Sequence, residues 1–129
     1  MESGWRLMTS INSYRDLIVW KKSMDLAVMI YAETRQLPAE ERYGISSQMR
    51  RAASSVAANI AEGQARRTTG EFLQSLGMAR GSLAELETFI ELCARLEYIA
   101  LANSEALLSV CAEINKMLAA LMRSLATRH

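Results

Sequence analysis

Apolar residues recur at three- and four-residue steps in four long segments of the chain, which is the spacing of one helix face. The segments predict α-helices near residues 16–35, 41–62, 69–97 and 103–126. Apolar and polar residues do not alternate over any long stretch, so the pattern predicts no β-strand. Four helices joined by short turns predict an all-α, antiparallel, up-down-up-down four-helix bundle over residues 14–127, preceded by a flexible leader at residues 1–13.

Each predicted helix carries one apolar stripe that we expect to face the core. In the first helix the stripe comprises Leu17, Trp20, Met24, Val28 and Tyr31. In the second it comprises Ile45, Met49, Ala52, Val56 and Ile60. The third carries Phe72, Leu76, Ala79, Leu83, Leu86, Ile90 and Cys93, and the fourth carries Leu107, Cys111, Ile114, Leu118, Leu121 and Leu125.

The turn between the second and third helices contains recognisable end signals. Gly63 stands where a left-handed residue would end the second helix. Thr68 or Thr69 is suited to cap the third helix, with Glu71 in reach to complete a capping box. Because this turn is short, the second and third helices must be neighbours.

Small side chains dominate the second helix, most clearly in SSVAANIAEG (residues 54–63). Little bulk on a helix surface allows a second helix to approach closely. The third helix contains a comparable set around Gly77 and Gly81, which are unfavourable in a helix interior unless packing requires them. We therefore expect the closest helix pair to form through Ala53, Ala57, Gly77 and Gly81.

Polar residues accompany the small ones on these two helices. We interpret them as a structural polar network that fixes helix register, comprising Asn59, Glu62, Ser82, Glu85 and Arg51. The alternative is that Glu62 and Glu85 bind a metal or act as acid and base. The only histidine is His129, and the chain has no P-loop or GxGxxG motif, so the sequence favours a protein that is not an enzyme and needs no metal or cofactor.

The charge and composition of the chain indicate which kind of protein it is and which compartment it occupies. The 15 Lys and Arg residues nearly balance 14 Asp and Glu, giving a net charge of +1 that is low for a dedicated nucleic-acid-binding protein. Cys93 and Cys111 lie in apolar stripes and are expected to be buried free thiols, which is typical of a reducing compartment. With no predicted signal peptide and no apolar run as long as a membrane span, we expect a cytoplasmic protein without membrane contact.

Three stretches give the chain a family resemblance: DLIVW (residues 16–20), QMRRAASSVAANIAEG (residues 48–63) and ARGSLAELE (residues 79–87). Over about residues 14–99 the sequence resembles the four-helix-bundle proteins of the 23S ribosomal RNA intervening-sequence family. The resemblance implies a short bundle that assembles as a homopentamer. Some members are encoded within bacterial ribosomal RNA genes, and a related branch is the accessory protein of diversity-generating retroelements, which engages a reverse transcriptase and nucleic acid.

Two functional classes remain open at this point. The first is a homopentameric scaffold that binds a protein partner, and wide apolar stripes on the first and fourth helices favour it by offering a second face, with a thicker monomer core as the alternative. The candidate residues for that face are Trp20, Tyr31, Leu108, Met117 and Met122. The second is an accessory protein of a reverse transcriptase that contacts RNA or DNA through Arg50, Arg66, Arg67, Arg80, Lys21 and Lys22.

Overall fold

The computed structural model describes residues 13–128 and contains four α-helices. They are α1 (Ile18–Thr34), α2 (Ile45–Gln64), α3 (Thr69–Arg95) and α4 (Leu101–Arg128). Short 3₁₀ helices at Tyr14–Asp16 and Ala39–Glu41 precede α1 and α2, and no strand occurs between residues 13 and 128. The predicted all-α four-helix fold is confirmed, and residues 1–12 of the predicted leader lie outside the described residues.

The helices pack in a closed cycle in which consecutive helices are neighbours and α1 also contacts α4. The α2–α3 pair makes the most extensive contact, as the short turn between them requires, whereas α1 and α3 lie diagonally opposite. The core is formed by the predicted stripes of α2, α3 and α4. All their members are buried except Ile45 and Leu121, which are half-buried.

The predicted core stripe of α1 is largely wrong. Only Leu17, just before the helix, is buried, while Trp20 is half-buried and Met24, Val28 and Tyr31 are exposed. The buried stripe of α1 is instead Val19, Ser23, Leu26, Ile30 and Thr34.

Two polar residues within that buried stripe account for the error. The hydroxyl of Ser23 donates to the carbonyl oxygen of Val19 over 2.7 Å, and that of Thr34 donates to the carbonyl oxygen of Ile30 over 2.7 Å. Because each hydroxyl is satisfied within its own helix, it can be buried without an unpaired polar group. The sequence therefore contains two stripes on α1 that look alike, and the more polar one faces the core.

The close approach of α2 and α3 is real, but Gly77 and Gly81 do not create it. Both glycines are exposed, and a Cβ atom added at either would meet nothing within 4 Å. A Cβ atom at Gly63 would lie 2.7 Å from the Cβ of Ser75 and 2.9 Å from the Cδ1 of Phe72. Gly63 is thus the residue that lets the two helices approach, and the expectation for Gly77 and Gly81 is wrong.

Of the two helix ends predicted from the sequence, the cap of α3 is confirmed and the glycine end of α2 is wrong. The hydroxyl of Thr68 accepts a hydrogen bond from the backbone N–H of Glu71 over 3.1 Å and donates to the Glu71 carboxylate over 3.0 Å, so Thr68 caps α3. Gly63 is not a left-handed terminus, because α2 continues through Gln64 and no described glycine has a positive φ. Between residues 13 and 128, Glu97 alone has a positive φ, at 62°, just after α3.

Both cysteines are buried free thiols, as the sequence predicts. Burial raises the pKa of Cys93 to about 11 and that of Cys111 to about 12, with smaller contributions from Glu41 and Glu33 to the first and from Glu87 to the second. Both thiols are therefore protonated and unreactive near neutral pH.

Candidate functional site

An apolar groove runs between α1 and α2 on the outside of the bundle and has a volume of about 590 Å³. Its α2 side consists only of small residues, which leave the space open: Ser54, Ala57, Ala58 and Ala61. Its α1 side carries larger side chains, including Trp20, Met24, Val28, Tyr31 and Arg35. We refer to this feature, with its lining residues, as the α1–α2 groove.

The small residues of SSVAANIAEG therefore serve two different faces of α2. Gly63 is buried against Ser75 and Phe72 of α3, whereas Ala57 and Ala58 line the α1–α2 groove. On the groove side, α1 supplies no side chains that fill the space above the alanines. The result is a long concave surface with an apolar wall.

Large apolar side chains are exposed along the wall of the groove. Val28 is 67% exposed, Met24 42% and Tyr31 40%, and Ile18 on the same helix is 63% exposed. Single exposed apolar residues are normal, but a contiguous exposed cluster marks an interaction surface in soluble proteins. This cluster includes Met24 and Val28, which the sequence reading placed in the core.

Aromatic residues fix both ends of the groove. At one end the ring of Tyr14 packs edge-on against Trp20, with ring centroids 5.0 Å apart. At the other end the guanidinium of Arg50 lies 4.7 Å from the centroid of the Tyr31 ring, a cation–π arrangement. Arg50 also donates to the Thr34 hydroxyl over 2.8 Å, so the guanidinium is held in one orientation.

The residues proposed for a second face on α4 differ from those on α1. Leu108, Met117 and Met122 are half-buried and pack against the core of their own chain. Among the large apolar residues of α4, only Leu101 is strongly exposed, at 69%, in the first turn. Within the described residues, α1 therefore has more exposed large apolar side chains than α4, and α3 exposes Met78 and Leu92 as well.

The five residues of the predicted polar network are not joined to one another within a single chain. The amide of Asn59 donates to the carbonyl oxygen of Ser55 over 2.9 Å, and Glu62 forms an ion pair with Arg66 at 2.6 Å. The other three, Ser82, Glu85 and Arg51, lie on α3 and α2 with the last two exposed. A role of these residues in fixing helix register stays a prediction.

The six cations predicted to contact nucleic acid do not form one surface on a protomer. Four lie where α1 begins and α2 ends, namely Lys21, Lys22, Arg66 and Arg67. Lys22 forms an ion pair with Glu113, and Arg66 pairs with Glu62. Arg50 lies at the opposite end of the α1–α2 pair, and Arg80 lies exposed on α3.

The described part of the chain contains neither a candidate metal site nor a membrane-spanning helix. Among residues 13–128, no three His, Cys, Asp or Glu side chains come together as potential metal ligands. No helix in that part is long and apolar enough to cross a membrane.

The fold and the groove define a four-helix-bundle protein with an exposed apolar face. Residues 15–120 match the family described as 23S rRNA-intervening sequence protein, and the chain belongs to that family. A solved structure from Bacteroides thetaiotaomicron VPI-5482, a protein with unknown function from the S23 ribosomal protein family, is 31% identical in sequence. It matches with a TM-score of 0.76 over 81% of this chain and 98% of its own. No curated protein matches the chain.

Proposed function

We propose that the chain is a non-enzymatic scaffold that assembles as a homopentameric ring, with the exposed face of α1 and the α1–α2 groove forming one side of each contact. The observation that carries the proposal is the cluster of exposed apolar side chains beside the groove, led by Val28 at 67%. The number five is the one that the family resemblance implies. A closed ring needs a contact in which two different surfaces meet, and a single groove on one side of the bundle suits that arrangement.

Covering this face would contribute favourably to the free energy of association. Complete burial of a large apolar side chain contributes about 1.5–3 kcal/mol. Met24, Val28 and Tyr31 would each lose a substantial exposed fraction if a neighbouring chain occupied the groove. Shape matters as well, because the small residues of α2 leave room for side chains from another copy.

The serine and cysteine side chains, which are common catalytic nucleophiles, support a non-catalytic role because neither kind is activated in the described helices. No histidine precedes residue 129, so the helices contain no Ser–His or Cys–His pair. Both cysteines are buried and have raised pKa values, which makes them poor nucleophiles at neutral pH.

The test replaces one exposed residue of the proposed contact with a charged one. Val28→Glu removes apolar contact and places a carboxylate inside it, so each contact should weaken by at least about tenfold. The matched control is Leu101→Glu, because Leu101 is 69% exposed but lies outside the groove. Light scattering should show the pentamer mass for the wild type and for Leu101→Glu, and a smaller mass for Val28→Glu.

Circular dichroism separates a loss of assembly from a loss of folding. Val28 contributes little to the core, so Val28→Glu should stay as helical as the wild type. If Val28→Glu retains the mass of the wild type, the α1 face is not the contact. If Leu101→Glu dissociates equally, the effect is not specific to the groove.

A further inference from the structure

A second, smaller pocket lies at the end of the bundle where α2 begins and has a volume of about 210 Å³. Its lining combines three arginines with two hydroxyl groups, namely Arg35, Arg42, Arg50, Thr34 and Ser46, and the segment 37–39. We call it the arginine pocket. Its lining contains no acidic residue, and it shares Arg35 with the adjacent α1–α2 groove.

None of the three arginines forms an ion pair with a carboxylate of the described residues, although the Arg42 guanidinium lies 5.5 Å from the centroid of the Tyr43 ring. The two ion pairs among residues 13–128 are Lys22–Glu113 and Arg66–Glu62, and neither involves this pocket. Three formal positive charges thus surround a small concave space without a carboxylate partner. The planar guanidinium group matches the geometry of phosphate oxygens and binds them through paired hydrogen bonds.

Arg50 is already fixed in place. Its Nε donates to the Thr34 hydroxyl over 2.8 Å, one Nη donates to the carbonyl oxygen of Tyr31 over 3.3 Å, and the group stacks on the Tyr31 ring. These contacts use two of the five N–H donors of an arginine. A ligand in the pocket would therefore meet an oriented guanidinium with donors to spare, at little cost in side-chain entropy.

Ser46 supplies the second, independent indication of a ligand. The side chain is only 6% exposed, lines the pocket and has no hydrogen-bond partner among residues 13–128. A serine within a helix commonly bonds to its own backbone, as Ser54 does, whereas Ser46 forms no such bond and its residue surface is almost entirely covered. The Ser46 hydroxyl is therefore available to a molecule in the pocket.

The start of α2 adds a favourable field. This helix is 20 residues long, and its N-cap residue, Gly44, has no side chain to cap it. Apart from the N–H of Ile45, whose hydrogen bond the Glu41 carboxylate accepts over 3.5 Å, the N–H groups of the first turn and the helix dipole favour an anion at such a position. The nearest carboxylate, that of Glu41, does not line the pocket and accepts hydrogen bonds from the Tyr98 hydroxyl over 3.0 Å and the Ile45 N–H over 3.5 Å.

We propose that the arginine pocket binds a phosphate group through Arg35, Arg42, Arg50 and the Ser46 hydroxyl. The volume suits this ligand, since a water molecule takes about 30 Å³ in the liquid and the pocket holds several times that. The phosphate belongs either to a free monoester, such as a nucleotide, or to a diester within a nucleic-acid strand. The chemistry of recognition is the same in both cases.

The experiment is a calorimetric titration of the full chain with inorganic phosphate, at an ionic strength held constant with chloride. The wild type should show saturable binding with one phosphate per chain. Replacing both Arg35 and Arg42 by Gln should raise the Kd by at least about tenfold, because charge-assisted hydrogen bonds are lost. The control replaces Arg66 and Arg67 by Gln at the other end of α2. It should change the Kd for phosphate by less than about twofold, because the length of α2 that separates these residues from the pocket exceeds the electrostatic screening length.

A single-residue variant tests the pocket by filling it. Ser46→Asp places a carboxylate among the arginines at the helix N-terminus, so the variant should melt higher than the wild type in chloride and gain nothing from phosphate. Absence of saturable binding by the wild type would overturn the proposal. So would an equal loss of affinity in both double variants, or a phosphate-dependent rise in Tm that survives Ser46→Asp.

Two further ligands distinguish the source of the phosphate. A nucleoside 5′-monophosphate presents a terminal group, whereas a short single-stranded RNA without terminal phosphate presents only diesters. Competition with inorganic phosphate by the monophosphate alone identifies a free monoester as the ligand. Competition by the RNA, lost in the Arg35→Gln, Arg42→Gln variant, identifies a nucleic-acid backbone.

Discussion

Replacing Gly63 by Ala should destabilise the protein, although alanine is the better helix former. The added Cβ would lie 2.7 Å from the Cβ of Ser75 and 2.9 Å from the Cδ1 of Phe72, whereas carbon atoms pack favourably at about 3.5–4.0 Å. The carbonyl oxygen of Phe72 would lie 3.3 Å away, so rotating the phenyl ring does not relieve the contact. Helices α2 and α3 would have to separate along their most extensive contact.

The magnitude follows from two opposing terms. Overpacking a well-packed core costs about 1–3 kcal/mol. The gain in helix propensity on replacing glycine by alanine is about 0.8–1 kcal/mol. Since backbone and Cβ atoms form the obstacle, the upper part of the first range applies, and the net loss of stability should be about 1–2 kcal/mol.

Gly81→Ala is the matched control, because it makes the same chemical change inside a helix where the added Cβ meets nothing within 4 Å. It should stabilise the protein by about 0.8–1 kcal/mol. Thermal unfolding followed by circular dichroism, at one fixed protein concentration, should therefore separate the two variants by about 10 °C. A neutral or stabilising Gly63→Ala would refute the close contact at Gly63, and a destabilising Gly81→Ala would show that this glycine is not in open space.

Three smaller predictions concern a helix end, a cap and the thiols. Glu97→Gly should raise the free energy of unfolding by about 0.5–1 kcal/mol, because Glu97 has φ of 62°, whereas Glu91→Gly inside α3 should lower it by a similar amount. Thr68→Ala should cost about 1 kcal/mol by removing the cap of α3, and Thr68→Ser should not. Burial raises the pKa of Cys93 to about 11 and of Cys111 to about 12, so a thiol reagent at pH 8 should label neither in the native protein and both in denaturant. Rapid native labelling of either would contradict the burial.

The helices and three of the four core faces could be predicted from sequence because periodicity alone determines them. The core face of α1 could not, since its two stripes differ by Ser23 and Thr34, whose hydroxyls bond to carbonyl oxygens four residues earlier. A polar residue with a local partner looks like a surface residue in the sequence. Only the packing shows that the more apolar stripe, with Met24 and Val28, is the exposed one.

The glycines and the arginine pocket show a second kind of feature that the sequence alone could not predict, namely which residues of different segments lie together. Composition identified small residues on both α2 and α3, but which of them face each other depends on rotation about the helix axis, and Gly63 rather than Gly81 lies at the contact. The arginine pocket brings together residues from the end of α1, the following turn and the start of α2. Arg35, Arg42 and Ser46 have no shared motif, so the sequence offered no signal that they form one site.

The mass of the unmodified protein in solution tests the central claim, self-assembly through an exposed apolar face, most directly. Multi-angle light scattering coupled to size exclusion at micromolar concentration measures it without labels or variants. The proposed ring predicts one species with five times the 14.4 kDa mass of the chain. A single species of 14.4 kDa across that concentration range would contradict the scaffold and leave the exposed face of α1 without the partner proposed for it.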